Sequence, residues 1–168
     1  MRRRPAAPQQ PQQPAPALTW HTAEAIDRNA NTDGARADWV LDRVEQAREG
    51  RRPVLLYVGT NSDDRRFERA RAACLEMEET LWKDFDVATL TLRFELVYVD
   101  VTNLNRDVMR KYGITANAAP QVIIYDFQLR SLWRSSGAPS ADQLKAQLER
   151  ALAHCEALAA RVDRTTSR

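Results

Sequence analysis

The sequence predicts an α/β domain behind a proline-rich N-terminal segment. Three observations carry that prediction. Val54–Val58, inside Pro53-Val54-Leu55-Leu56-Tyr57-Val58-Gly59, is a continuous apolar run of strand length, as expected of a strand covered on both faces. Phe94–Val101 and Gln121–Tyr125 repeat that pattern, with helical apolar periods between the runs. The chain then closes on a long amphipathic helix starting near Ser140.

Size and charge remove several function classes. A chain of 168 residues with 43% hydrophobic content is long enough for one core plus tails. Charged residues make up 29% but the net charge is only +2, which gives no electrostatic case for a nucleic-acid partner. Cys74 and Cys155 are the only cysteines, which excludes a disulfide scaffold and a four-cysteine zinc site. His21 and His154 lie far apart without metal-ligand spacing, so neither a metal nor a cofactor is expected. No run approaches the roughly 18 apolar residues of a membrane span. Met1-Arg2-Arg3-Arg4 imitates the basic start of a signal peptide, yet Pro5 to Pro16 places no apolar stretch behind it. The expected location is therefore the cytoplasm, unless an upstream start site supplies an export signal.

The elements follow in chain order. Residues 1–16 hold five of the eight prolines and four glutamines, a composition that cannot offset its ordering entropy, and residues 1–17 read as a disordered tail. Pro5, Pro8, Pro11 and Pro14 recur every three residues, the spacing of one polyproline face. Residues 18–37 form an extension, in which Leu18-Thr19-Trp20 suits a short edge strand and Thr22 to Arg28 a helical turn. From Ala35 to Arg48, Trp39, Val40, Val44 and Ala47 keep a helical period, with Gly50 where a left-handed cap is expected. Asp63 or Asp64 can cap a long helix running to about Leu81, with Phe67, Ala70, Cys74, Met77 and Leu81 on one stripe. A shorter helical turn falls around Val87–Leu90. After the strand Phe94–Val101, Asn105 to Tyr112 reads as a helix ended by Gly113. The strands Gln121–Tyr125 and Ser131–Arg134 are close enough to pair as a hairpin, closed by Gly137. Ser140-x-x-Gln143 resembles a capping box for the last helix, whose buried face is Leu144, Leu148, Leu152, Cys155 and Leu158.

This order, together with several local motifs, resembles the thioredoxin-like superfamily. Trp39, Val44 and Ala47 ahead of Arg52-Pro53-Val54-Leu55-Leu56-Tyr57 are similar to the branch that opens with a tryptophan, a helix and a "KPVLLYF" strand. Cys74-Leu75-Glu76-Met77-Glu78-Glu79-Thr80-Leu81, then Asp84 and Val87, resembles that branch after its second active-site cysteine. Val99-Asp100-Val101 and Lys111-Tyr112-Gly113-Ile114 match its third strand and following helix, and Pro120 takes the place of the family's cis-proline. The resemblance implies a three-layer α/β/α sandwich over residues 38–160, with 161–168 as a C-terminal tail. Two departures stand out: the stretches from Gly59 to Cys74 and from Ile114 to Pro120 are both longer than the family pattern.

The active-site Cys-x-x-Cys is absent, and Thr60-Asn61-Ser62-Asp63-Asp64 stands at its corner. Disulfide exchange needs an exposed thiolate at a helix start, where free N–H groups and the helix dipole lower the thiol pKa. By alignment Cys74 is the resolving cysteine, and Arg71 stands where the attacking one belongs. Two readings of Cys74 follow. If the helix restarts near Glu68, Cys74 is a monothiol poised beside Arg71 and Pro120. If the helix starts at Asp63 or Asp64, Cys74 lies three turns in, buried and inert. Free cysteine is among the most buried residue types, which favours the second. Asn61-Ser62-Asp63-Asp64 lacks a base for a serine nucleophile and has too few oxygen ligands for a cation, so it reads first as a loop and helix cap.

The leading expectation is therefore a redox-degenerate binding module for an unidentified protein or extended peptide. Asn61, Ser62, Asp63, Asp64, Ala118, Ala119 and Pro120 would form its groove, with Trp82 and Trp133 as candidate exposed aromatics, although packing in the core suits each at least as well. One alternative is a monothiol disulfide reductase or isomerase using Cys74. A second is a structural subunit docking a larger assembly through its tail or last helix.

Overall fold

The computed structural model describes residues 13–22, 46–102, 109–110, 112–115 and 117–166. The polyproline spacing up to Pro11 and the apolar period of Trp39, Val40 and Val44 lie outside them, as does most of the helix expected over Asn105 to Tyr112. The sheet has five strands: β1 (His21–Thr22), β2 (Val54–Gly59), β3 (Glu95–Asp100), β4 (Gln121–Tyr125) and β5 (Ser131–Arg134). Their order is β1-β3-β2-β4-β5. The β1–β3 and β3–β2 pairs are parallel, whereas β2–β4 and β4–β5 are antiparallel.

All six residues of β2 are buried. Side chains alternate across a strand, so the unbroken apolar run feeds two cores. Leu55 and Tyr57 join Leu96, Tyr98, Val122 and Ile124 on one face. Val54, Leu56 and Val58 join Val97, Val99 and Ile123 on the other. The first face is covered by α1 (Glu68–Thr80), α2 (Phe85–Thr91) and α3 (Ala141–Thr166), through Met77, Leu81, Val87, Leu144 and Leu148. Ala47 from the helical residues 46–49, with Tyr112 and Ile114, covers the second. The result is a three-layer α/β/α arrangement.

Several local expectations are corrected. The extended pairing at the N-terminal edge falls at His21–Thr22 rather than Leu18–Trp20, and the helical turn expected up to Arg28 lies, beyond Thr22, outside the described residues. The left-handed residue after helix 46–49 is Arg51 (φ 52°), not Gly50. Arg52 N–H donates to Ala47 O at 2.8 Å and Arg51 N–H to Arg48 O at 3.1 Å, the paired bonds of a Schellman end. Gly113 (φ 61°) closes its own segment in the same way, with Ile114 N–H donating to Met109 O and Gly113 N–H to Arg110 O. The long helix from Asp63 or Asp64 is broken in two. Asp64 caps a 3-10 turn, Arg65–Phe67, and the α-helix begins only at Glu68. That break changes the helical phase, so Phe67 packs against the cluster on the opposite face of the sheet from Met77 and Leu81.

The C-terminal half follows the sequence pattern closely. Ser140 Oγ accepts from Gln143 N–H at 3.2 Å at the start of α3. Leu144, Leu148, Ala151, Leu152 and Cys155 are buried along that helix, and Leu158 is half-buried. Leu148 is fully enclosed against the sheet. Leu148→Ala is expected to lower unfolding stability by about 2–5 kcal/mol, because the lost contacts leave a cavity. The shift in a urea denaturation midpoint measures it, and a near-zero shift would show that α3 does not pack as described.

Candidate functional site

The corner at the C-terminal end of β2 is built by backbone constraints before any side chain contributes chemistry. A Cβ on Gly59 would come within 2.7 Å of the Tyr98 ring, so only glycine lets the strand pass this close to β3. Thr60 is buried and its Oγ1 accepts from Ser62 N–H at 3.2 Å. Asp100, the last residue of β3, holds the next turn: Asn61 N–H donates to its Oδ2 at 3.0 Å, while Thr102 N–H and Oγ1–H donate to its Oδ1.

The four predicted loop residues cap and brace this turn. Asp64 Oδ1 accepts from Arg66 N–H at 2.9 Å, and its Oδ2 accepts from the Arg66 guanidinium at 2.6 Å. These bonds hold the exposed Asp64 carboxyl below its usual range. Ser62 Oγ accepts from Asp64 N–H at 3.3 Å. Asp63 is ion-paired to Arg71. An arginine tied to a carboxylate here gives a charged, hydrogen-bonding surface without a nucleophile.

Ala118, Ala119 and Pro120 reach the same end of the sheet. The antiparallel register pairs Val58 with Gln121, which brings the adjacent Pro120 to the same end of the sheet as Gly59. Pro120 is buried and its bond to Ala119 is cis. Ala118 and Ala119 are half-buried. Ala118 N–H donates to Thr115 O at 3.0 Å, whereas among the described residues no hydrogen bond reaches the backbone of Ala119.

Cys74 does not reach this surface. The helix restarts at Glu68, as the reactive reading required, yet Cys74 lies in its second turn with only 1% of its surface exposed. Burial pushes its thiol up from the ordinary value, despite the Tyr57 hydroxyl and the Thr60 N–H that face the sulfur. The Tyr57 hydroxyl is itself driven far above its usual range by burial, with the neighbouring thiol adding to the effect. Cys155 is buried too, and its thiol is raised by the same cause. Neither position supplies the exposed, acidic thiol that disulfide exchange needs.

The structure decides between the two readings of the tryptophans. Trp82 is buried at 7% exposure and Trp133 is half-buried, because both rings pack into the core on the face covered by α1, α2 and α3. Trp82 joins a cluster with Trp20, Tyr57 and Tyr98, next to a half-buried carboxylate, Glu78. This cluster is nonlocal and carries no linear motif. One signal was nevertheless present: Glu78 stands four residues after Cys74 and three before Leu81, which puts a charge on the apolar stripe.

No protein-family model matches the sequence, and no curated protein matches it. Solved structures do. A thioredoxin from Thermus thermophilus superposes with a TM-score of 0.52 at 16% identity, covering 66% of this chain and 81% of that one. The C-terminal domain of DsbD from Neisseria meningitidis in its reduced form gives 0.52 at 18% identity, covering 67% and 94%. Its oxidised form gives 0.50 at 18% identity, covering 68% and 93%. At these identities the likeness establishes a thioredoxin-like fold, here without a Cys-x-x-Cys pair.

Glu78 gives a test of the site's electrostatics. Burial raises its pKa, with Glu79 adding a smaller push, so the folded chain holds this proton more tightly than the unfolded chain. Stability therefore falls as pH rises through the ordinary glutamate value. Glu78→Gln is expected to raise the melting temperature near neutral pH by about 2 °C, and to leave it unchanged in acid where both states are protonated. A loss of stability at neutral pH would mean that the carboxylate is held by a partner group.

Proposed function

We propose that this chain is a redox-degenerate thioredoxin-like binding module that holds an extended polypeptide across the corner made by Asn61–Asp64 and Ala118-Ala119-Pro120. The observation that carries this reading is Ala119. It is half-buried, its backbone N–H and C=O are without hydrogen bonds among the described residues, and it lies beside a corner braced by Asp100. Unpaired backbone groups next to a rigid sheet end suit strand-like pairing with a peptide, which requires no thiol. The side chains around it are small on one side (Ala118, Ala119) and polar on the other (Asn61, Ser62, Asp63), so main-chain pairing supplies affinity and the polar rim supplies selectivity.

The burial of Cys74 weighs against the reductase or isomerase alternative. A thiol that is enclosed and raised in pKa cannot attack a disulfide without local opening.

Panning a random-peptide display library on the full chain tests the reading. Selected peptides are expected to bind the wild-type and Cys74→Ala proteins with equal affinity. Ala119→Trp, which sets a bulky side chain beside Pro120, is expected to weaken them by about tenfold or more, the scale of losing a few backbone hydrogen bonds. Binders that are insensitive to Ala119→Trp would place the groove elsewhere, and dependence on Cys74 would restore thiol chemistry.

A further inference from the structure

On the helix-covered face of the sheet lies a cavity of about 470 Å³, within the range of about 300–1,000 Å³ typical of small-ligand sites. Trp20, Tyr57, Trp82 and Tyr98 line it, together with Glu78 and Lys83, and residues 15–18 of the N-terminal segment form another wall. It shares only Asn61 with the proposed peptide corner.

Three features of the lining select one class of ligand. The rings form an interlocked set, with centroids 5.0 Å apart for Trp20–Trp82, 5.5 Å for Tyr57–Trp82 and 5.3 Å for Tyr57–Tyr98. An edge-on contact sets one ring's edge against a neighbour's face, and the rings that line the cavity bring π-electron density, with its negative electrostatic potential, to the wall. Glu78 adds a half-buried carboxylate, and among the described residues no cation pairs with it. Lys83 does not compensate it, because its ammonium is held by Glu79 one turn back. Finally, Trp82 Nε1–H is buried without an acceptor, an unsatisfied donor in the same wall.

A purely apolar occupant would desolvate Glu78 further with nothing to offset the cost. An anion would meet both the carboxylate and the π-faces with the wrong sign. The geometry points to this cavity as a recognition site for an organic cation, a quaternary ammonium or a guanidinium held over the aromatic faces with Glu78 as its counter-charge. An oxygen on the same ligand can accept from Trp82 Nε1–H. The site goes beyond the peptide-binding reading and does not depend on it.

The test is an NMR titration of the full chain, following the indole N–H signals of Trp20 and Trp82. Choline chloride and Nα-acetyl-arginine amide are the cationic probes, and 3,3-dimethyl-1-butanol is the neutral isostere of choline. At least one cation is expected to give saturable shifts at both indoles, with the neutral isostere about tenfold weaker or more. Preference for choline assigns the site to a free quaternary ammonium compound, and preference for the arginine amide to a basic side chain on another polypeptide. Glu78→Gln, which removes the charge and keeps the shape, is expected to weaken the better probe by a similar factor. Should that variant lose its fold, Trp20→Leu provides the second test through loss of one ring face. Absence of saturable shifts, equal binding of the neutral isostere, or undiminished binding by Glu78→Gln or Trp20→Leu would each overturn the assignment.

Discussion

Burial of β2 on both faces is the constraint from which the rest of the structure follows. The strand pairs with β3 on one side and β4 on the other, and all six of its residues are enclosed. Each large apolar side chain removed from water in this way contributes about 1.5–3 kcal/mol before entropy is charged against it. A one-residue slip would exchange the two sets of inward side chains, putting Leu55 and Tyr57 where Val54, Leu56 and Val58 belong. The register is thus held firmly, and so is what emerges from the strand's end. Gly59 passes against the Tyr98 ring, Asp100 catches Asn61, and Pro120 is brought to the same end of the sheet by the β4 pairing.

The same constraint explains why the corner lacks an exposed thiol. In a redox member of this fold the first helix would begin at the surface with a cysteine. Here a capped 3-10 turn intervenes, and the α-helix starts only at Glu68. Cys74 is carried down against Tyr57 and Thr60, where burial dominates over the favourable contacts of the sulfur. Arg71, three residues before Cys74, is ion-paired to Asp63. What the corner presents instead is an Ala119 backbone without hydrogen bonds among the described residues and polar groups at residues 61–63, with a separate aromatic cavity nearby.

Much of the fold was legible because its signals are local. The run Val54–Val58 is apolar without a break, Gln121–Tyr125 and Ser131–Arg134 are bounded by turn residues, and the period of Leu144, Leu148 and Leu152 persists over several turns. The features that escaped are either short or nonlocal. A two-residue strand such as His21–Thr22 has no pattern of its own and exists through pairing with Val97 and Tyr98. The break at Arg65–Phe67 is set by Asp64 capping Arg66, which a stripe spaced by sevens from Phe67 conceals. The sequence leaves Trp82, beside Lys83 and Asp84, open between surface and core, and tertiary packing turns it against Trp20 and Tyr57. Of the candidate site, the corner and the proline turn were readable by position. The aromatic cavity required the fold, since its rings come from residues 20, 57, 82 and 98.

The central claim is that this fold has lost its thiol chemistry because the one cysteine near the corner is sealed into the core. The most direct measurement is the rate at which a thiol probe labels Cys74 across pH in the folded Cys155→Ala protein. The account predicts that labelling tracks global unfolding, appearing with denaturant and remaining negligible in native buffer. Rapid native labelling with an apparent pKa below the free-thiol value of about 8.5 would contradict it.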